Sequence, residues 1–181
     1  KMIKVIFTIF CLAIISTNSF GQCVPVPNAN QELVALNNFW GTNIPICRLP
    51  AGSNNAYADR NRGVVLADQD WLDVIAFNFG SFAATGILAH EWGHMIQGPY
   101  NGTAAELQAD CLAGVFMRGV GLNWQAVEQF AMANAFAGDG HWSLNGHGTS
   151  AQRVTAARRG YYGYNGQIRS GLLALCPLSA F

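Results

Sequence analysis

His90, Glu91 and His94 stand in the order H-E-x-x-H, which groups residue types that can bind a metal ion and move a proton. On an α-helix, two imidazoles four residues apart project from the same face and can reach a single Zn²⁺. The glutamate between them then lies beside the metal. The alternative is a helix whose two histidines are satisfied by ordinary hydrogen bonds, but the complete motif favours a metal site. The spacing therefore predicts His90 and His94 as zinc ligands.

A zinc ion that takes part in a reaction needs a third protein ligand and one open position for water. One extension of the motif adds a glycine three residues after the second histidine and another histidine three residues later. Gln97 and Tyr100 occupy those positions, which excludes that extension. A carboxylate on the following helix is the other source, and Glu106 supplies one. The alternative for Glu106 is a capping box with Thr103, an arrangement that needs no metal. The requirement for a third ligand favours the metal role.

Asp110 follows Glu106 by four residues, so the two carboxylates share one helical face. We expect Asp110 to accept the Nδ1–H of a ligand histidine, with His90 as the preferred partner. Such a bond fixes the tautomer of the imidazole and raises its basicity.

Two further histidines and one arginine are candidates for the site. His147 lies just before a predicted helix and could donate to the oxyanion that develops during hydrolysis, or it could simply order its loop; both interpretations stay open. His141 beside Trp142 is interpreted as a loop residue. A lone helical arginine is usually solvated, which is the interpretation of Arg153, with Asp139 or a cleft carboxylate as alternative partners.

The elements that must position these residues form a small sheet followed by helices, an order typical of an α+β fold. Residues 44–55 are rich in Pro, Gly, Asn and Ser and are predicted to be loop. Short strands are predicted at 56–58 and 63–66. Helices are predicted at 31–40, from Asp68 or Asp70 to 78, at 81–97 capped by Ser81, at 103–117 capped by Thr103, at 123–137, from Thr149 or Ser150 to 159, and at 168–175.

The composition excludes several classes of protein. The chain has 181 residues, of which 51% are apolar and only 11% are charged. This apolar content can offset the ordering entropy that keeps disordered chains unfolded. The formal net charge is zero, whereas a nucleic-acid-binding protein needs a basic surface. The length suits a single domain.

The first residues are typical of a secretory signal peptide. Lys1 and Lys4 precede an uncharged apolar run from Val5 to Ile15, and small residues stand before a cleavage site ahead of Gln22. An uncleaved membrane anchor is the alternative, but eleven residues are too few to span a bilayer. We therefore expect a signal peptide at 1–21 and one domain at 22–181, secreted or kept in the periplasm or cell envelope, with no stable membrane span after cleavage.

Four cysteines remain after the signal peptide, an even number that suits an oxidising compartment. Three pairings are open, and we favour Cys23–Cys47 together with Cys111–Cys176. The alternative role of Cys111 as a thiolate metal ligand or nucleophile lacks an accompanying C-x-x-C motif.

Four ordered blocks resemble the bacterial neutral zinc metallopeptidases, gluzincin-like proteins of the cell envelope. The blocks are residues 89–97, 106–114, 138–139 and 147–153, and residues 56–88 resemble the family only loosely. The resemblance implies a zincin fold, with His90, His94 and Glu106 as zinc ligands and Glu91 as the catalytic base. The spacer between the two ligand segments is shorter than in the family, and the region before residue 56 is small, which implies a differently walled cleft.

Together these features predict a secreted, zinc-dependent endopeptidase acting on peptide or protein substrates. Zinc would acidify a water molecule, Glu91 would accept its proton, and a strand within 56–66 would pair with the extended substrate. The alternative is a secreted, disulfide-stabilised zinc-binding envelope protein without turnover. Glu91 favours the enzyme, because a purely structural zinc site needs no base beside the metal.

Overall fold

The computed structural model describes residues 23–136, 146–166 and 169–181. Within them the chain is mostly helical and carries a three-stranded sheet, which confirms the α+β class. The predictions for the signal peptide at 1–21, for Asp139 and for His141 lie outside the described residues. In chain order the elements are α1 (Asn30–Trp40), β1 (Ile46–Arg48), β2 (Ala56–Asp59), β3 (Val64–Ala67), α2 (Gln69–Phe79), α3 (Ser81–Gln97), α4 (Thr103–Gly119), α5 (Trp124–Phe136), α6 (Ser150–Gly163) and α7 (Arg169–Leu175), with short 3₁₀ turns at Pro27–Ala29 and Leu178–Ala180.

The sheet has the strand order β1-β3-β2, with β1 parallel and β2 antiparallel to the central strand β3. Val65 in β3 pairs with Ile46 on one side and with Ala58 on the other. The prediction that residues 44–55 are entirely loop is therefore wrong, because Ile46–Arg48 forms β1. Three residues beside a proline give almost no local strand signal, and the pairing with β3 is what stabilises the strand. The strand β2 lies at an edge of the sheet and contacts α3.

The helix starts agree with the predicted caps in some cases and not in others. Asp68 caps α2 by accepting the backbone N–H of Asp70, and it also accepts that of Asn54, which ties the helix to the segment before β2. Thr149 and Gln152 form a capping box at the start of α6. Ser81 and Thr103, however, are the first residues of their helices, after Gly80 and Gly102, and neither provides a side-chain cap.

Glycines allow the site-bearing helices to approach closely. A Cβ on Gly93 of α3 would lie 2.8 Å from the Cα of Ala109 in α4, too short for two carbon atoms. Likewise, a Cβ on Gly160 of α6 would overlap the carbonyl of Cys111 in α4. A Cβ on Gly114 of α4 would overlap the carbonyl of Ala157 in α6. Hence α4 packs backbone to backbone against both α3 and α6, so short side chains can meet between them.

Two disulfides, Cys23–Cys47 and Cys111–Cys176, join the chain in the predicted pairing. Both bridges favour an oxidising, extracellular environment. With Cys111 in a disulfide, its alternative role as a thiolate ligand or nucleophile is wrong. No helix among the described residues has the length and apolar character needed to cross a membrane.

Candidate metal centre

His90, His94 and Glu106 converge where α3 and α4 cross. The two Nε2 atoms of the histidines lie 3.0 Å apart, and each lies 3.3 Å from a carboxylate oxygen of Glu106. His90 and His94 share a face of α3 because they are one helical turn apart. Glu106 stands in the first turn of α4, directly opposite that face. The structure thus brings together the three residues predicted as ligands.

The separations fit a shared metal ion. Bonds of about 2.0–2.1 Å at tetrahedral angles would place neighbouring zinc ligands about 3.3 Å apart. Two imidazole nitrogens facing each other at 3.0 Å also need a proton or a cation between them, since two lone pairs would repel. The ligand atoms of the three residues all lie within 4.8 Å of one another, and this group could hold a metal ion.

The capping-box alternative for Glu106 is wrong. The hydroxyl of Thr103 donates to the carbonyl of Gly146 instead, and α4 has no side-chain cap. Burial alone would raise the pKa of Glu106, but the contacts with His90 and His94 hold that pKa well below its usual range. The carboxylate of Glu106 is therefore ionised and faces the histidines.

The structure places Asp110 beside His90, the partner that we expected for it. Its Oδ1 accepts the Nδ1–H of His90 at 2.7 Å, which leaves the Nε2 of His90 facing His94 and Glu106. Burial would lower the pKa of His90, but the Asp110 carboxylate outweighs this effect and raises that pKa to about 10. Without a metal, a proton on His90 therefore takes the place of the cation that the two facing imidazole nitrogens need.

Three elements converge on the Asp110 carboxylate, which is fully buried. Arg153 of α6 donates from Nε to Oδ2 at 2.8 Å and from Nη2 to Oδ1 at 3.0 Å. Asn134 of α5 donates its side-chain amide to the same Oδ1, and its carbonyl accepts from Nη1 of Arg153. Burial would raise the pKa of Asp110, yet Arg153 and His90 hold it below its usual value. The interpretation of Arg153 as a solvated residue is wrong: its side chain is buried and ion-paired.

Glu91 is buried beside the cluster and faces the same cleft. Burial raises the pKa of its carboxyl group, an effect that the nearby His90 and His94 partly offset. The backbone N–H of Ala58 in β2 also favours the charged form. Glu91 thus stands between the histidines and the edge strand, with a pKa shifted towards the range that suits proton transfer near neutral pH.

A cleft of about 710 Å³ opens over these residues and has two different sides. The strand side, formed by β2, the residues next to it and the loop between α3 and α4, is polar. It consists of Asn54, Asn55, Ala56, Tyr57, Ala58, Arg60, Tyr100, Asn101 and Gly102. The helical side carries the cluster, Glu91, Asn134 and Arg153, together with apolar residues of α2, α3 and α5. Those apolar residues are Trp71, Ile75, Ile87, Ala133 and Phe136.

The remaining candidate, His147, also lines this cleft and is exposed. The structure therefore brings it into the same cavity as the cluster, while its role as a donor stays a prediction. The sequence analysis gave neither Asn134 nor Gln97 a role at the site. Gln97 contacts His94 from the last turn of α3, and its position three residues after His94 is a signal that could have indicated it. Asn134 comes from a distant helix and has no comparable signal.

Comparison with protein-family models, with curated protein sequences and with solved structures finds no match to this chain.

Proposed function

We propose that this protein is a secreted, zinc-dependent endopeptidase. One observation carries the proposal: a cluster of two imidazoles and one carboxylate with zinc-like separations lies in an open cleft beside a buried glutamate. The resemblance of residues 89–153 to neutral zinc metallopeptidases points to the same chemistry. The two disulfides support an exported protein.

Zinc is the metal that we propose for the cluster. Two histidines and one glutamate make up one of the ligand sets of catalytic zinc, which keeps a fourth position open. When bound, zinc would lower the pKa of a water molecule and polarise the carbonyl of a peptide bond. His90, His94 and Glu106 would hold it.

Glu91 is the proposed general base and then the general acid. Its carboxylate accepts a proton from the water whose oxygen adds to the carbonyl carbon. When the C–N bond breaks, the same carboxyl group passes that proton to the departing amine. The raised pKa of Glu91 suits both steps, because the group must gain and lose one proton in each cycle. His147 is the proposed donor to the charge that develops on the carbonyl oxygen.

The edge strand β2 suits an extended peptide. The backbone N–H of Asp68 donates to the carbonyl of Asn55, so the backbone groups of Asn55 face β3 and those of Ala56 and Ala58 face the open edge of the sheet. The N–H groups of Ala56 and Ala58 bond to the side chains of Asn55 and Glu91, so a substrate strand would add to this edge by donating to the two carbonyls. The apolar residues of the helical side, Ile75 and Ile87 among them, would then face a substrate side chain. We propose peptides with a large apolar residue next to the scissile bond as substrates.

The test is hydrolysis of casein by the purified chain, with and without a chelator, in parallel with its zinc content. Glu91→Gln should keep one zinc per chain and lose about 10²- to 10⁴-fold in rate, because the ligands remain while the base is lost. Glu128→Gln is the matched control, since Glu128 is an exposed glutamate on α5 that contacts Trp124. It should leave both properties unchanged.

Three outcomes separate the proposal from its rivals. Loss of zinc from Glu91→Gln would contradict the assigned roles. An unchanged rate in that variant would exclude Glu91 as the base. A zinc-loaded wild-type chain that cleaves no peptide would instead indicate an envelope protein that binds zinc without turnover.

A further inference from the structure

Gln97 makes an unusual contact with the second histidine of the cluster. It lies in the last turn of α3, three residues after His94, and its side chain is buried. The amide nitrogen Nε2 stands 2.9 Å from the Nδ1 of His94. The amide oxygen Oε1 is buried and has no hydrogen-bond partner among the described residues. An acceptor without a donor therefore lies on the same amide that touches His94.

Metal binding changes the proton positions at this contact. A histidine that coordinates through Nε2 keeps its proton on Nδ1, so Nδ1 becomes a donor. An amide N–H facing that proton is repulsive, whereas the amide oxygen would accept it. A half-turn about the Cγ–Cδ bond of Gln97 exchanges its oxygen and nitrogen without moving the backbone.

We propose that Gln97 is the positioning residue of His94 and that it presents its amide oxygen to the Nδ1–H when zinc binds. This inference rests on the zinc site of the proposed function. It assigns the two ligand histidines different partners: His90 has a carboxylate from α4, and His94 has a neutral amide from its own helix. Removing the acceptor leaves the Nδ1–H of the partly buried His94 without this partner whenever zinc is bound, so the cost falls on zinc affinity.

The experiment compares Gln97→Met with Gln108→Met. Gln108 is an equally buried glutamine on α4, and its amide oxygen also has no partner in the part of the chain that the structure describes. Its Nε2, however, donates to the carbonyl of Cys176, away from the cluster. Zinc affinity is measured by competition with a chelator. The tautomer of His94 is read from ¹H–¹⁵N spectra of the imidazole nitrogens in the zinc-loaded protein.

We expect Gln97→Met to weaken zinc binding about 10- to 100-fold and to remove the protected Nδ1–H signal of His94. Gln108→Met should lower the melting temperature and leave the zinc affinity and the His94 signal unchanged. Zinc affinity of Gln97→Met within threefold of wild type, or equal losses in both variants, would overturn the inference.

Gln97→Glu tests the same point with almost no change of shape. A carboxylate can accept the Nδ1–H but has no N–H to donate, so zinc affinity should equal or exceed that of the wild type. A tenfold loss in this variant would show that the amide N–H is the group that matters, and the inference would fail. A wild-type chain that binds no zinc would overturn this inference together with the proposed function.

Discussion

The two sides of the cleft are built in different ways. On the helical side, Asp110, Asn134 and Arg153 are almost completely buried and join α4, α5 and α6 through one carboxylate. On the strand side, Tyr57 and Tyr100 are 42% and 49% exposed. On the helical side, packing and hydrogen bonds therefore hold the polar side chains in place before any ligand binds. On the strand side, the exposed tyrosine side chains are less constrained by packing.

Arg60 joins the two parts of the strand side, the turn after β2 and the loop between α3 and α4. Arg60, in the turn after β2, donates to the carbonyls of Gly98 and Tyr100 and to the side chain of Asn101. These acceptors lie in the loop that joins the two ligand helices. We therefore expect metal binding and substrate binding to depend on different residues, and substitutions should separate them.

Loss of the third ligand is expected to have the largest effect. Glu106→Ala removes the carboxylate that both histidines face, and zinc binding at micromolar concentrations should be nearly abolished. The measurement is the metal content after dialysis against a weak chelator. Full zinc occupancy in Glu106→Ala would show that the carboxylate is not a ligand.

Removal of the Cys111–Cys176 disulfide is expected to have the second-largest effect. This bridge closes 65 residues, and its loss should lower the free energy of unfolding by about 4 kcal/mol in the chain-entropy description. Cys111 directly follows Asp110 on α4, so zinc affinity should fall as well.

The Cys23–Cys47 bridge is the matched control, because it closes 24 residues next to the sheet. Paired serine substitutions there should cost about 3 kcal/mol of stability and leave zinc affinity unchanged. Equal effects of the two pairs on zinc would contradict the separation between the two sides of the cleft. Chemical denaturation and chelator competition measure the two quantities.

Asp110→Ala should have an intermediate effect on the metal. It leaves all three ligands in place but removes the acceptor of the His90 Nδ1–H, so zinc affinity should fall about 10- to 100-fold. Competition titrations on Asp110→Ala and Glu106→Ala test this ranking. A loss of zinc affinity in Asp110→Ala as large as that in Glu106→Ala would contradict the assigned roles.

The raised pKa of His90 predicts how zinc affinity depends on pH. Zinc needs neutral His90, and without metal this group is protonated below about pH 10. Binding therefore releases a proton, and apparent affinity should rise about tenfold per pH unit between pH 7 and 9. Titrations at several pH values test the slope, and an affinity independent of pH over this range would show that His90 binds zinc without losing a proton.

The parts that local patterns encode were predictable from the sequence. The H-E-x-x-H spacing depends on residues within about one helical turn, and so do the caps at Asp68 and Thr149, each of which was one of two candidates. The convergence of Glu106 on the histidines followed from the chemical need for a third ligand.

The parts that depend on distant contacts were not predictable. Arg153 bonds to Asp110, which lies 43 residues earlier in the chain. Local sequence around a single helical arginine cannot indicate so distant a partner. The hydroxyl of Thr103 likewise bonds to Gly146 across 43 residues, which overrides its local preference to cap. The strand β1 exists because β3 pairs with it.

Substitution of Arg60 is expected to have the smallest effect, and this substitution tests the strand side directly. Arg60→Gln keeps one amide donor but loses the fork that holds Gly98, Tyr100 and Asn101 together. The strand side should loosen, so KM for a peptide substrate should rise a few-fold while kcat and zinc affinity stay near wild type. Arg62→Gln is the control, because Arg62 belongs to the same turn but pairs only weakly with Asp59, at 4.0 Å. Steady-state kinetics and chelator competition on both variants provide the measurement. A fall in zinc affinity for Arg60→Gln would show that the loop between α3 and α4 transmits strain to the ligands, and the two sides would then act as one unit.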